Sequence, residues 1–363
     1  MGGARVVYEY ANQLAARGHE VAVVHPRRLS KFPAPPAASF SQRLRLALGK
    51  VRNLVLTPGV SWQPLDKRVR MLYVSEPVAS NVPDGDVIFA TAWQTAVYVE
   101  EYPTSKGEKF YLVMDFAPLT APPDRLAATW RQPFQKVTIS RWLYDQVCDA
   151  GGRPENTINI PVAIDHQRFR LTREIVPRPK QAAMFVGYSN YKAPQDGILA
   201  LEIARQRHPE MSVVVFGQGN SRPRGAPSWF SYHANISHER LVAIYNSSSI
   251  FVCSSLAEGF ALPPAEAMAC GCAVAATDCG GIREFAEHEV TALLSAPGNP
   301  ESLAHNIIRL LDDDALRIRL AEAGNQRIRQ FTWDRSTCLL ERFIGERVSF
   351  NASGKQPVHL RER

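Results

Sequence analysis

Short apolar runs recur along this chain, separated by stretches in which apolar residues return every three or four positions. Near the start, Val6, Val7, Tyr10 and Leu14 share one helical face, Gly18 is placed to end that helix, and residues 20–24 continue extended. Apolar runs at 86–90, 110–114 and 136–139 predict strands with helices between them, the pattern of parallel βαβ units. From Ile160 to Pro179 the chain is rich in Pro, Arg and His and reads as a connection between domains. The alternation then restarts more regularly. Strands are predicted near 182–187, 212–217, 250–254, 273–276 and 291–294, and helices near 194–207, 238–247, 262–270, 281–286 and 300–323. The expected class is α/β, with two Rossmann-like, doubly wound parallel-sheet domains facing a cleft. The expected boundaries are residues 1–165, 166–332, a helix over 333–349 packing back on the first domain, and a polar tail over 350–363.

At 363 residues, the chain has length for two cores, and 45% hydrophobic with 21% charged residues is a globular composition. No apolar run approaches the roughly 20 residues of a membrane-spanning helix, and no secretory signal pattern opens the sequence, so a cytoplasmic location is the expectation. The six cysteines (148, 253, 270, 272, 279 and 338) have no disulfide-framework spacing. Cys270 and Cys272 lack a second ligand pair at zinc-like spacing, which favours packed thiols over a metal site. Asp84 and Asp86 have the spacing of an acidic metal pair but precede a strand, where a turn is the simpler role, and Asp312–Asp314 reads as a solvated helix end.

Charge is uneven. Residues 1–72 hold twelve Lys/Arg against three Asp/Glu, a net +9, which leaves −2 for the remainder of a chain of net +7. Such a segment suits anionic lipid headgroups, nucleic acid or an acidic acceptor, or is simply a solvated face. Within it, residues 42–56 read either as a basic amphipathic helix on a membrane surface or as an ordinary helix covering the sheet.

The richest stretch is Ser254 to Gly281. It leaves a predicted strand and opens a helix at Leu262, followed by Pro263 and Pro264, residues tolerated in a first helical turn because the amides they lack would be unpaired there. The remaining amides of that turn, at the positive end of the helix dipole, form an anion site suited to a diphosphate. Gly259 lets backbone approach a ligand. Glu258 and Glu266, with seven residues between them, are suited to accept hydrogen bonds from sugar hydroxyls on either side of the phosphates.

This stretch resembles the donor site of the retaining glycosyltransferases of the GT-B architecture, family four (glycosyl transferases group 1). The surroundings agree: residues 165–169, Phe185–Gly187 with Lys192, His233–Ile236 followed by Glu239–Leu241, Gly280–Gly281 and Asn299–Leu303 all resemble segments of that family. The resemblance implies a nucleotide-diphosphate sugar as co-substrate, no bound metal or cofactor, and transfer of a sugar to an acceptor hydroxyl with retention of anomeric configuration. Glu266 would bind ribose hydroxyls and Glu258 the transferred sugar. Gly259, Phe260, Ala261 and Leu262 would meet sugar and phosphate, and Lys192 would offset charge on the leaving diphosphate. Gly187, Tyr188, Gly217, Asn235 and Ile236 complete the implied donor site, and Gly2 and Gly3 the acceptor side. Asp115 occupies a position where it would orient the acceptor hydroxyl, or is a turn-forming Asp. Carbohydrate or lipid-linked acceptors in surface polysaccharide or glycolipid synthesis are the family's common targets. Peripheral membrane contact through the basic first domain, at the inner face of the membrane, and no nucleic-acid partner, are the corresponding expectations.

Two departures stand out. The family usually places an Arg where this chain has Tyr188, which leaves Lys192 to work with another cation such as Arg222 or Arg224, or else the donor to sit differently. Members also open with a strand ahead of the glycine loop, whereas Met1–Gly3 already lies in the loop. That reads either as a start codon assigned downstream of the true one, the favoured explanation, or as a rearranged first domain. Two rival functions remain. A GT-B-like sugar-nucleotide epimerase would convert its substrate without an acceptor. A non-catalytic, basic membrane- or nucleic-acid-binding protein would bind with strong salt dependence and show no donor-dependent thermal shift.

Overall fold

The computed structural model describes residues 2–32, 63–116, 121–187, 189–217, 222 and 225–353; the helix expected over 42–56 lies outside them. Helix α1 (Gly2–Ala16) ends as its sequence predicts. Gly18 takes φ +97°, and the amides of Gly18 and His19 donate to the carbonyls of Ala15 (3.2 Å) and Leu14 (3.1 Å), closing the helix with a Schellman motif. Strand β1 (Ala22–Pro26) follows and pairs in parallel with β2 (Arg70–Val74), Ala22 opposite Arg70.

The rest of the N-terminal half alternates as expected: β3 (Val87–Ala90), α2 (Trp93–Glu100), β4 (Glu108–Val113), α3 (Pro123–Arg131), β5 (Gln135–Thr138), α4 (Arg141–Asp149) and β6 (Thr157–Asn159). Strands β3 to β6 form a four-stranded parallel sheet in sequence order. Among the described residues no strand joins β1 to β3, and the described part of this half carries two sheets. They are bridged by side chains, with Val24 of β1 and Ile88 of β3 packed on one apolar cluster that includes Trp93, Tyr98 and Trp130.

The C-terminal half contains β7 (Gln181–Val186), α5 (Pro194–Arg207), β8 (Ser212–Gly217), β9 (Phe230–Ala234), α6 (His238–Ser247), β10 (Ile250–Cys253), α7 (Leu262–Ala269), β11 (Ala273–Thr277), β12 (Leu293–Ser295), α8 (Pro300–Asp312) and α9 (Asp314–Ile328). Its six parallel strands run in the order β12-β11-β10-β7-β8-β9, a doubly wound sheet whose strand order reverses between β7 and β10. Two expected helices differ. The helix expected at 281–286 is a single 3₁₀ turn, Gly281–Glu284. The helix expected at 300–323 is two, because Asp313 takes extended backbone (φ −119°, ψ 95°) and its side chain caps α9 by accepting from the Leu316 amide at 2.9 Å. Asp312 is likewise engaged, with Arg207 at 2.8 Å and His208 at 2.9 Å, rather than merely solvated.

The halves share one core. A single apolar cluster runs from Val6, Tyr10, Phe110 and Leu143 to Phe260, Ile282, Phe331 and Phe343. Helix α10 (Trp333–Ser353) returns to the N-terminal half: Trp333 meets the Tyr10 ring edge-on at 5.2 Å, and Arg17 pairs with Glu341 at 2.8 Å. On the other side, α4 butts against the 281–284 turn. The Glu284 carboxylate accepts from the Arg141 amide (2.7 Å) and the Asn159 side chain (3.2 Å), while Ser140 caps the same helix from within (3.3 Å to the Leu143 amide). We expect Glu284→Ala to lower stability to urea by about 1 kcal/mol, the usual worth of a lost helix cap; an unchanged unfolding midpoint would show that this cap between the halves is idle.

Candidate functional site

The strand-order reversal places two loops side by side at the carboxyl ends of β7 and β10, where open α/β sheets bind ligands. The β7 loop carries Gly187 and Lys192, and the β10 loop carries Glu258. They meet: Lys192 Nζ lies 2.5 Å from Glu258 Oε1, and Ser255 Oγ donates to that same oxygen at 2.7 Å. Ser254 Oγ ties the loops together by donating to the carbonyls of Lys192 (3.2 Å) and Ala193 (2.9 Å). The pair is largely out of water, the side chains being 16% and 11% exposed. Burial pushes the Lys192 ammonium down, but the Glu258 carboxylate overrides it and holds the pKa above the ordinary lysine value.

Past Glu258 the backbone turns sharply. Ala261 sits at φ 73°, ψ 65°, a left-handed conformation that costs a non-glycine residue about 1 kcal/mol or more and clusters at functional sites. Asn235 and Ala193, after β9 and β7 at the same edge, also have positive φ (48° and 41°). The turn is held from behind by Gly281, whose amide donates to the Glu258 carbonyl at 3.0 Å. A Cβ there would fall 2.2 Å from the Gly259 carbonyl oxygen, so only glycine permits this approach. The Glu258 amide is used, donating to Cys279 O at 2.8 Å. The amides of Gly259, Phe260, Ala261 and Leu262 have no acceptor among the described residues, and Pro263 and Pro264 have no amide to offer. Four donors unpaired among the described residues thus gather at the N-terminal end of α7.

The N-terminal half closes over them. A Cβ at Gly2, in the first turn of α1, would lie 3.6 Å from the Leu262 side chain, and one at Gly3 would lie 3.5 Å from that of Met114, so the positive end of α1 lies close to the start of α7. Gly259 faces the Met114 carbonyl and Ile139. The sequence predicts amides open to a crevice; here residues 258–261 are buried beneath the other half, because the apolar face of Phe260 joins the shared core.

Glu266 projects from α7 into the same interface. Its carboxylate is 5% exposed, pairs with the Arg5 guanidinium of α1 through Oε1, and accepts from the Tyr245 hydroxyl through Oε2 at 3.3 Å. Burial pushes its pKa up, and Arg5, Tyr245 and Arg168 pull against that. Arg5 and Tyr245 carry no sequence motif. Their only signal was position, one turn into α1 and one face of α6.

The remaining predicted residues are more dispersed. Gly217 and Asn235 lie at the ends of β8 and β9, joined by Asn235 N–H to Gly217 O at 2.9 Å, with Ile236 packed on the shared core. Asp115 follows β4; its Oδ2 accepts from the Trp93 amide at 2.9 Å, capping α2, and burial raises its pKa despite that bond. Tyr188 and Arg224 are outside the described residues, and Arg222 donates to the Ser228 and Phe230 carbonyls rather than reaching Lys192. Among the described residues no group of three or more His, Cys, Asp or Glu is arranged to hold a metal. Asp84 is taken by Lys106 at 2.6 Å. The Cys272 thiol donates to Tyr245 O at 3.1 Å, and burial pushes its pKa up to about 12. No helix among the described residues is long and apolar enough to cross a membrane.

The β7–α9 segment, with this loop at its centre, matches the family described as Glycosyl transferases group 1 over residues 172–327. The group 1 segment contains Lys192, Glu258 and Glu266, whereas Arg5 and Asp115 lie outside it. The chain is 31% identical over 221 residues to D-inositol 3-phosphate glycosyltransferase of Salinispora arenicola (55% of this chain, 49% of that protein). It is 26% identical over 222 residues to the uncharacterized glycosyltransferase MJ1607 of Methanocaldococcus jannaschii (55% and 57%). The chain therefore spans about half the length of the curated relatives it matches. In fold it is similar to Anabaena Alr3699/HepE, crystallised with UDP and glucose, at TM-score 0.70, 15% identity and coverage of 95% and 96% of the two chains. The whole chain thus has the GT-B glycosyltransferase fold.

Within the group 1 segment, Lys192→Met leaves the Glu258 carboxylate buried without its cation, and we expect a stability loss of about 3 kcal/mol in urea unfolding. Adding Glu258→Gln should recover most of it; a double variant no more stable than the single would show that the pair is not coupled.

Proposed function

We propose that this chain is a glycosyltransferase that moves a sugar from a nucleotide-diphosphate donor to an acceptor hydroxyl, with retention at the anomeric carbon and without a bound metal. The observation that carries the reading is the set of four amides at the start of α7 that are unpaired among the described residues, flanked by Glu258 on one side and Glu266 on the other. In this reading the N-terminal half supplies the acceptor side and the C-terminal half, from about residue 166, the donor side. The diphosphate lies on the amides of 259–262, where the dipole ends of α1 and α7 add to the field. Ribose hydroxyls donate to Glu266 and hydroxyls of the transferred sugar to Glu258. Gly187, Gly217, Asn235 and Ile236 form the rest of the donor wall.

Departure of the diphosphate is the charge-separating event, and Lys192 is the cation built next to it. As the bond from the anomeric carbon to the diphosphate oxygen lengthens, the acceptor oxygen attacks the same face, and its proton passes to an oxygen of the leaving diphosphate. The route needs no protein nucleophile. Asp115 keeps one carboxylate oxygen beyond its bond to Trp93 and stands on the acceptor side with Gly2 and Gly3. Since the 258–261 turn is buried between the halves, loading the donor requires them to part and close again, which keeps water from the leaving group. The likeness to a glycosyltransferase of inositol 3-phosphate supports a polar, hydroxyl-rich acceptor, with glycolipid or surface polysaccharide synthesis as the setting.

Melting the protein against UDP-, GDP-, ADP- and dTDP-sugars tests this directly. One nucleotide class should raise the midpoint, since a ligand at 100 times its Kd adds about 2.7 kcal/mol. Glu266→Ala should abolish that shift, whereas Glu258→Gln should keep most of it and lower transfer by about 100-fold or more. Full transfer by both variants and by Lys192→Ala would end the assignment.

A further inference from the structure

Glu266 is an acid buried where water cannot hold its charge, and what holds it comes from the opposite half of the molecule. Arg5 reaches its Oε1 from the first turn of α1. The other groups facing this carboxylate come from each element packed around it. Helix α1 adds Glu9, and the turn after Ile164 brings Asp165 and Arg168 to the same small cavity. Helix α6 contributes Tyr245 and His238, and the C-terminal cap of α7 contributes Cys270, with Cys272 just beyond. Burial pushes the Tyr245, Cys270 and Cys272 groups up, which leaves them neutral near pH 7. His238 is pushed down by burial and by Arg168 and Arg5, so its neutral ring sits 3.5 Å from the Arg5 guanidinium without repelling it. Arg168 acts on Glu266 only through space. Among the described residues, Arg5 is thus the cation in direct contact with the carboxylate.

A carboxylate that is to accept from two adjacent ribose hydroxyls must be ionised, because protonation turns one oxygen into a donor. We propose that Arg5 is a positioning residue of the donor site, supplied by the opposite half, which keeps Glu266 ionised and aimed for the ribose diol. The inference rests on reading Glu266 as the ribose acceptor. It adds that the donor site is complete only with the N-terminal half closed on it. Arg5 lies outside the matched group 1 segment, so the donor pocket extends beyond that segment.

The test is nucleotide binding and donor KM against pH, from about pH 6 to about pH 9, for the intact chain and for Arg5→Met and Arg5→Lys, using the best nucleoside diphosphate from the melting screen. Removing the guanidinium raises the Glu266 pKa further, so the ionised form is lost first at the acid end. Arg5→Met should weaken binding about tenfold near pH 6, with the deficit shrinking as pH rises, while kcat changes less. Arg5→Lys should restore most of the wild-type profile. Glu266→Gln should bind weakly at every pH, and adding Arg5→Met to it should change nothing more. A pH-independent deficit in Arg5→Met, or a lysine variant no better than methionine, would overturn the role of Arg5. Wild-type binding by Glu266→Gln would instead overturn the ribose reading beneath it. Circular dichroism and the melting midpoint of each variant separate these outcomes from loss of fold.

Discussion

Two carboxylates held out of water govern this structure. An isolated charged acid in such surroundings is untenable, so each must have a cation and hydrogen-bond donors built beside it. Glu258 has Lys192 and Ser255, which forces the loops after β7 and β10 together at the point where the sheet order reverses. Glu266 has Arg5 and Tyr245, which pulls the first turn of α1 onto the start of α7. Between them lies a turn whose amides at 259–262 are unpaired among the described residues and whose Ala261 is in the left-handed region. A chain selected only for stability has little reason to keep buried ion pairs, unpaired amides and an unfavourable φ within eight residues. A site that must bind a polar, charged ligand has every reason.

Much of this was legible in the chain. The C-terminal half has strands that are apolar on both faces and helices with clear starts, so the predicted limits at 194–207 and 238–247 coincide with α5 and α6. The loop could be read because its parts are consecutive: a buried strand, Glu258, a glycine, two prolines in a first turn, and Glu266 one helical face onward. Errors came where a local pattern underdetermines the outcome. The expected helix over 300–323 runs through residues 312–314, which also read as a helix end, and there the extended backbone of Asp313 divides α8 from α9. Strands β6 and β9 are short and half-buried, with no unbroken apolar run to mark them, whereas β2 has such a run at 71–74 that the sequence reading leaves unassigned.

What the sequence could not reveal is what the two halves do to each other. Arg5 and Glu266 are 261 residues apart, and nothing local marks Arg5 as more than a polar residue on a helix. The covering of Gly259 by Met114 and Ile139 is equally invisible from either segment alone. Asp115 is the converse case. Its place after β4 suggested a role at the cleft, and the structure gives one of its oxygens a structural duty at the N-terminus of α2. Those long-range contacts make the closed interface part of the site rather than its wall.

The most direct measurement is a crystal structure of the protein with a nucleoside diphosphate bound. The account predicts phosphate oxygens at about 2.7–3.2 Å from amides of residues 259–262, with the ribose on Glu266 and the halves closed around it. A diphosphate seated elsewhere, with those four amides still unpaired, would contradict it.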